Sequence, residues 1–123
     1  MIEPIELVIT GETPAKKNSR ITLRNGKTIP SKRYQEWHRR AVNELKSQFD
    51  RGALDCDLKI NLCFFHADNR RRDSDNGVSS IFDTLQDAGI ITDDRWQIIR
   101  TFSVHNYKAR EARCEITIQE ISE

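Results

Sequence analysis

Two stretches with the period of a β-strand enclose a stretch with the period of a helix in the second half of this chain. Apolar residues predominate at alternate positions from Leu58 to Phe64 and from Trp96 to Val104, which is typical of strands with one buried face. Between them, apolar residues from Val78 to Ala88 recur three or four positions apart and stop at Gly89, which is typical of a helix and its C-terminal cap. This order restricts the chain to folds in which helices pack on a sheet.

The other segments extend the same mixture. Residues 5–10 predict an opening strand, and Asn25-Gly26 between two short strand-like runs predicts a basic, exposed hairpin. Apolar residues spaced three to four apart from Tyr34 to Phe49 predict an amphipathic helix, and alternation over residues 114–118 predicts a last strand. We therefore predict an α/β (α+β) fold, with a small mixed β-sheet and two main helices.

Length and composition narrow the class further. A chain of 123 residues is the size of one domain, so we expect a single domain over residues 1–123, and its small core favours a homodimer. There is no apolar run near the roughly 20 residues that span a bilayer and no signal-peptide pattern, so we expect a cytoplasmic protein without a membrane partner. Cys56, Cys63 and Cys114 are widely spaced, which indicates reduced thiols rather than a disulfide framework or a zinc site.

The segment that precedes the second predicted helix carries a group of carboxylates. Asp73 and Asp75 are two residues apart, so at an extended strand end their side chains fall on the same side. The helix would then return the chain to Asp93 and Asp94 at the neighbouring strand. Carboxylate oxygens are the ligands that Mg²⁺ and Mn²⁺ prefer, so these four residues predict a divalent metal site, with no small-molecule cofactor.

Other interpretations of these carboxylates remain open. Asp75 or Asn76 can cap the second helix, and an Asp-Asp pair is common in ordinary loops. An EF-hand is excluded, because Gly77 is the fifth rather than the sixth residue of the loop and Thr84 stands at the twelfth position.

Basic residues near the carboxylates are candidates for phosphate contacts. The net charge is only +1, but residues 1–50 hold ten Lys+Arg against six Asp+Glu, so the overall charge does not exclude a nucleic-acid partner. Planar guanidinium groups suit phosphate, although a run of arginines is also compatible with solvated side chains that pair with nearby aspartates. The predicted DNA-binding residues are Lys16, Lys17, Asn18, Arg20, Arg70, Arg71 and Arg72.

Taken together, these motifs resemble the RusA family of Holliday junction resolvases. The matching residues are the run Arg70-Arg71-Arg72, the motif Asp73-Ser74-Asp75-Asn76, residues 81–85, Ala88-Gly89-Ile90 and Thr92-Asp93-Asp94. The early loop with Lys17 and Asn18 and the closing pair of strands also agree, so the resemblance covers nearly the whole chain.

The resemblance implies a homodimeric, Mg²⁺- or Mn²⁺-dependent nuclease, bacterial or phage-encoded, that nicks two opposed strands of a four-way DNA junction during recombination or repair. It implies that Asp73, Asp75 and Asp94 are catalytic metal ligands with Asp93 as their neighbour, and that Arg72 contacts the substrate phosphate. A two-fold dimer suits a junction that offers two equivalent strands.

One position departs from the family pattern. The resemblance implies a lysine three residues after Asn76, where this chain has Ser79. Either Lys17 or another basic side chain from the N-terminal loop supplies the charge, or cleavage is weak. One alternative function is therefore a non-catalytic or weakly catalytic branched-DNA-binding protein of the same fold. A separate alternative is a soluble α/β domain that binds a divalent ion and a protein partner.

Overall fold

The computed structural model describes residues 3–16 and 20–122. In chain order, the elements of these ranges are β1 (Ile5–Thr10), β2 (Arg20–Thr22), β3 (Thr28–Pro30), α1 (Lys32–Gln48), β4 (Leu58–His66), α2 (Val78–Asp87), β5 (Ile99–Lys108) and β6 (Arg113–Glu120). The predicted fold class, a mixed sheet with two helices, is confirmed. Neither described helix is long and apolar enough to cross a membrane.

The main sheet has four strands in the order β1-β6-β4-β5. β6 runs antiparallel to both β1 and β4, whereas β4 and β5 are parallel and are joined through α2. A parallel pair needs such a crossover, because the chain must return to the end of the sheet at which the first strand began. β2 and β3 pair separately as the predicted hairpin around Asn25-Gly26.

The hydrophobic core lies on one face of the main sheet. Alternate residues of neighbouring strands stand side by side there, as in the row Leu7, Ile116 and Leu62, and all three are almost fully buried. The apolar stripes of both helices pack against this face, which leaves side chains such as Lys59 and Val8 exposed on the other. The fold is therefore a two-layer α+β structure.

The first helix also covers the open edge of β1. Three side chains one turn apart on α1 bond the backbone of that edge. Gln48 contacts both the N–H and the carbonyl of Val8 at 2.8 Å, Glu44 accepts from the N–H of Thr10 at 3.0 Å, and Arg40 donates to the carbonyl of Thr10 at 2.6 Å. An uncovered strand edge is a template for aggregation, so these contacts protect β1.

Two local predictions were wrong. Neither Asp75 nor Asn76 is the N-cap residue of α2, because that residue is Gly77, and among the described residues it has no side-chain capping bond. Trp96 is not the first residue of a strand, because a turn over residues 95–98 delays β5 until Ile99. Trp96 is 69% exposed and lies under the guanidinium of Arg100, 5.6 Å from the ring centre.

Candidate active site

The N-terminal end of α2 separates two cavities. We call the smaller one, of about 280 Å³, the acidic cavity, and it is lined by Lys16, Asp75, Asn76, Val78, Ser79, Phe82 and Asp94. We call the larger one, of about 420 Å³, the strand-end cavity, because it lies where β4 and β5 finish. It is lined by His66, Asp68, Asn69, Arg70, Arg72, Asp73, Ser74, Asn106, Tyr107 and Lys108.

The turn that lies between these two cavities explains which carboxylate lines which cavity. Asn76 N–H donates to the carbonyl of Asp73 at 3.0 Å, and Val78 N–H donates to the carbonyl of Asp75 at 3.1 Å. The expected extended conformation is therefore wrong, since residues 74–77 form a turn. As a result Asp75 lines the acidic cavity while Asp73 lines the strand-end cavity.

Asp94 joins Asp75 at the acidic cavity although the two residues are 19 positions apart in the chain. Partial burial raises the pKa of the Asp94 carboxyl above its usual value, and the nearby charges of Asp83 and Asp93 act in the same direction. Burial and neighbouring negative charge both disfavour the ionised form of this carboxyl group, and a bound cation would stabilise that form.

Asp93 uses its carboxylate locally. One oxygen accepts from the backbone N–H of Asp94 at 2.7 Å, and the other accepts from Arg95 at 3.1 Å. These hydrogen bonds, led by the one from Asp94, lower the pKa of Asp93. The two adjacent aspartates are thus in different environments, and Asp94 is the one that lines the cavity.

The donor set fits a hard divalent ion. Within residues 3–16 and 20–122 no three His, Cys, Asp or Glu side chains are grouped closely enough to hold a metal by themselves. Mg²⁺ does not require such a cage, because it commonly keeps several waters and binds through one or two carboxylates together with phosphate oxygens of the substrate. Asp75 and Asp94 supply two carboxylates in one open cavity.

A chain of hydrogen bonds supports the turn from the strand-end side. Glu12 accepts from His66 Nδ1 at 2.9 Å, His66 Nε2 bonds Asn106 Oδ1 at 2.8 Å, and Asn106 Nδ2 donates to the carbonyl of Ser74 at 2.8 Å. Both ring nitrogens of His66 are thus engaged, one by a carboxylate and the other by a side-chain amide. The chain links the N-terminal loop, β4, β5 and the residue between Asp73 and Asp75.

Arg72 is engaged inside the protein. Its guanidinium lies 2.8 Å from Asp68 and 3.5 Å from Glu12, and its side chain is only 16% exposed. The side chain of Arg70, by contrast, is 74% exposed, with its Nε 3.9 Å from Asp68, and Arg71 is also exposed. Of the three arginines, Arg70 and Arg71 are therefore the ones presented to solvent.

The N-terminal loop, residues 11–16, brings a lysine to the acidic cavity. Lys16 forms an ion pair with Asp83 of α2 and lines the same cavity as Ser79, the position where the family resemblance implies a lysine. Arg20 is exposed on the hairpin. The predicted DNA-binding residues Lys17 and Asn18 lie outside the described residues.

Sequence reasoning missed Glu12, His66, Asn106 and Asp83. They lie in different elements: Glu12, His66 and Asn106 meet one another only through tertiary contacts, and Asp83 meets Lys16 in the same way. The single available signal was the position of His66 at the end of a predicted strand, close to the carboxylates.

Comparison with known proteins decides the family. The family model of endodeoxyribonuclease RusA matches residues 11–119. The chain belongs to the RusA endodeoxyribonuclease family. It is also 32% identical over 110 residues to the crossover junction endodeoxyribonuclease RusA of Aquifex aeolicus (strain VF5), and the match covers 89% of this chain and 84% of that relative. The RusA match includes both cavities, so the resemblance noted in the sequence is confirmed.

Proposed function

We propose that this protein is a divalent-metal-dependent endonuclease that resolves four-way DNA junctions by paired, symmetric nicks. The observation that carries the proposal is the meeting of Asp75 and Asp94 in one open cavity within a chain of the RusA family. The relative from Aquifex aeolicus is named a crossover junction endodeoxyribonuclease, which supports the same substrate here. A domain that only binds an ion and a protein partner is disfavoured by this membership.

Asp75 and Asp94 would hold Mg²⁺ or Mn²⁺ in the acidic cavity, and Asp73 would act from the other side of the turn. When bound, the ion supplies charge neutralisation at the phosphorus and activation of the attacking water. The carboxylates hold the negative charge that attracts the ion, and Asp93 remains a neighbour whose oxygens are already hydrogen-bonded.

Exposed cations around the cavities would bind the DNA backbone. Arg70 and Arg71 are open to solvent beside the strand-end cavity, and Arg20 is exposed on the hairpin. Contacts of this kind hold phosphates without reading base sequence and weaken as salt rises. Lys17 and Asn18 remain proposed contacts of the same loop region.

A homodimer would give the enzyme two equivalent sites for two equivalent strands. Such symmetry produces paired nicks at matching positions, whereas a monomer would nick the strands independently. DNA junctions arise where the genome is copied and repaired, so we place the proposed activity in the cytoplasm of a bacterial or phage-infected cell.

Junction cleavage with mapped products tests the proposal. The wild type should nick a four-way junction at symmetric positions with Mg²⁺ or Mn²⁺ and should not cut in EDTA. Asp75→Asn and Asp94→Asn should each lower the rate by about 100-fold or more, because each removes a charged ligand. Asp50→Asn, at an exposed position just after α1, is the matched control and should cleave normally. Full activity of both cavity variants would refute the site.

A further inference from the structure

The acidic cavity contains one basic side chain among its lining residues, Lys16. Its other polar lining groups are the carboxylates of Asp75 and Asp94, the amide of Asn76 and the hydroxyl of Ser79. A phosphate that enters this cavity therefore meets a single ammonium group from the described residues. The position of that group depends on how the N-terminal loop is attached.

The N-terminal loop is fixed to α2 by three contacts at regular spacing. At position 77 the backbone of Gly77 lies so close to the side chain of Thr13 that a Cβ on Gly77 would lie 2.7 Å from Thr13 Cγ2. One turn further on, Ser80 Oγ donates to the carbonyl of Pro14 at 2.6 Å, and after another turn Asp83 pairs with Lys16. Since Thr13 and Ala15 are 3% and 7% exposed, the loop is packed rather than loosely attached.

The ion pair of Lys16 is accessible to a substrate. The side chains of Lys16 and Asp83 are 37% and 28% exposed, so solvent reaches both groups. The hydrogen bond that Lys16 donates to Asp83 raises the pKa of Lys16, which keeps the ammonium protonated near neutral pH. An ammonium has three donors, so it can keep its bond to Asp83 and still donate to an oxygen in the cavity.

We propose that Lys16 is a catalytic residue whose ammonium donates to a non-bridging oxygen of the scissile phosphate in the acidic cavity. During hydrolysis the water oxygen forms a bond to phosphorus, the bond from phosphorus to the leaving sugar oxygen breaks, and the proton lost by water balances the proton gained by that oxygen. Lys16 transfers no proton and stabilises the charge that grows on the phosphate oxygens. This inference rests on the proposed nuclease function.

Kinetic separation of binding from cleavage tests this role. Lys16→Ala and Lys16→Met, the second of which keeps the apolar stem, should each lower the single-turnover cleavage rate by about 100-fold, the usual effect of removing one preorganised donor. Junction affinity measured in EDTA and the urea midpoint should stay close to the wild type. Lys59→Ala removes the same charge from the exposed face of the sheet and should change none of these quantities.

A second substitution tests position rather than charge alone. Ser79 lines the same cavity from α2, so Ser79→Lys in the Lys16→Ala background supplies a new ammonium there and should recover at least about tenfold in rate. The inference is overturned by a Lys16→Ala rate close to that of Lys59→Ala, by a loss of affinity that accounts for the lost rate, or by no recovery with Ser79→Lys. A wild type that cuts no junction overturns the proposed function itself, whereas normal cutting by Lys16→Ala overturns only this role.

Discussion

Asn106 on β5 donates a hydrogen bond to the backbone carbonyl of Ser74 at 2.8 Å, and so holds the one residue that stands between Asp73 and Asp75. The same amide accepts from His66, whose other ring nitrogen bonds Glu12. The parallel pairing of β4 with β5 is what brings Asn106 to this point, since Phe64 and Asn106 are partners in register two residues before β4 ends. The orientation of the two carboxylates thus depends on the sheet.

Asn106→Ala should impair cleavage more than binding. Without the amide, the carbonyl of Ser74 loses its hydrogen bond to β5. We expect the cleavage rate at saturating Mg²⁺ to fall by roughly 10- to 100-fold, because small displacements of catalytic groups lower the rate strongly. Junction affinity in EDTA should change little. Asn61→Ala is the matched control, because Asn61 also bonds across to β5, through Ser103, but far from the turn. Equal effects of the two substitutions would contradict the positioning role of Asn106.

Gly77→Ala should destabilise the protein through steric overlap. A Cβ there would lie 2.7 Å from Thr13 Cγ2 and 2.9 Å from Phe64 Cε1, so the N-terminal loop or β4 must move. The φ of −103° is open to alanine, which leaves the overlap as the cause. We expect a loss of about 1–3 kcal/mol in urea unfolding. Adding Thr13→Ser removes the nearest methyl group and should recover part of the loss, while Gln86→Ala on the same helix should be nearly neutral.

The arginines should separate into structural and DNA-binding residues. Arg72→Ala leaves Glu12 and Asp68 without their common partner, so we expect a loss of about 1–3 kcal/mol in stability. Arg70→Ala should leave stability almost unchanged, because the side chain is 74% exposed. It should instead weaken junction binding. The slope of log affinity against log salt concentration should become shallower by about 1, because one phosphate contact is lost. Unfolding curves and a salt titration of both variants decide the assignment, and a reversed pattern would refute it.

The ion pair of Asp68 with Arg72 should make the stability of the protein depend on pH in the acid range. The hydrogen bond from Arg72, followed by that from the backbone of Arg70, holds the pKa of Asp68 at about 2, below its usual 3.8. A carboxyl group whose pKa is lower in the folded than in the unfolded protein stabilises the folded state at pH values above the unfolded-state pKa. This contribution is lost as the pH falls from 3.8 towards 2. Asp68→Asn should therefore show a smaller decrease in stability over that interval. Urea midpoints at several pH values measure the slope, and an unchanged slope would contradict the assignment.

Cys114 should be protected from alkylation in the folded protein. Its side chain is fully buried, and burial raises the pKa of its thiol, so the reactive thiolate is rare. Cys56 and Cys63 are only partly buried. Mass spectrometry after treatment with N-ethylmaleimide should show label on Cys56 and Cys63 first, with Cys114 labelled at the rate of unfolding. Rapid labelling of Cys114 under native conditions would show that the β6 core opens more readily than its packing implies.

The amino-acid sequence by itself determined most of the strands and helices, and it predicted a site for a divalent ion. Hydrophobic periods of two and of three to four residues predicted the strands and helices, because those periods follow from local backbone geometry. The concentration of aspartates around α2 predicted hard-ion chemistry, because it depends on residue type alone. Turns were harder to predict from the sequence. At Trp96 the alternation of apolar residues continues through a turn, which places the Trp96 side chain outside the sheet.

Only the tertiary structure decided which of these groups meet. A turn between Asp73 and Asp75 divides them between two cavities, and Asp94 joins Asp75 from the far end of α2. Arg72 pairs with Glu12, 60 positions away, and Lys16 pairs with Asp83, 67 positions away. Such contacts depend on strand order and on the close approach at Gly77, which are properties of the packed chain rather than of any local segment.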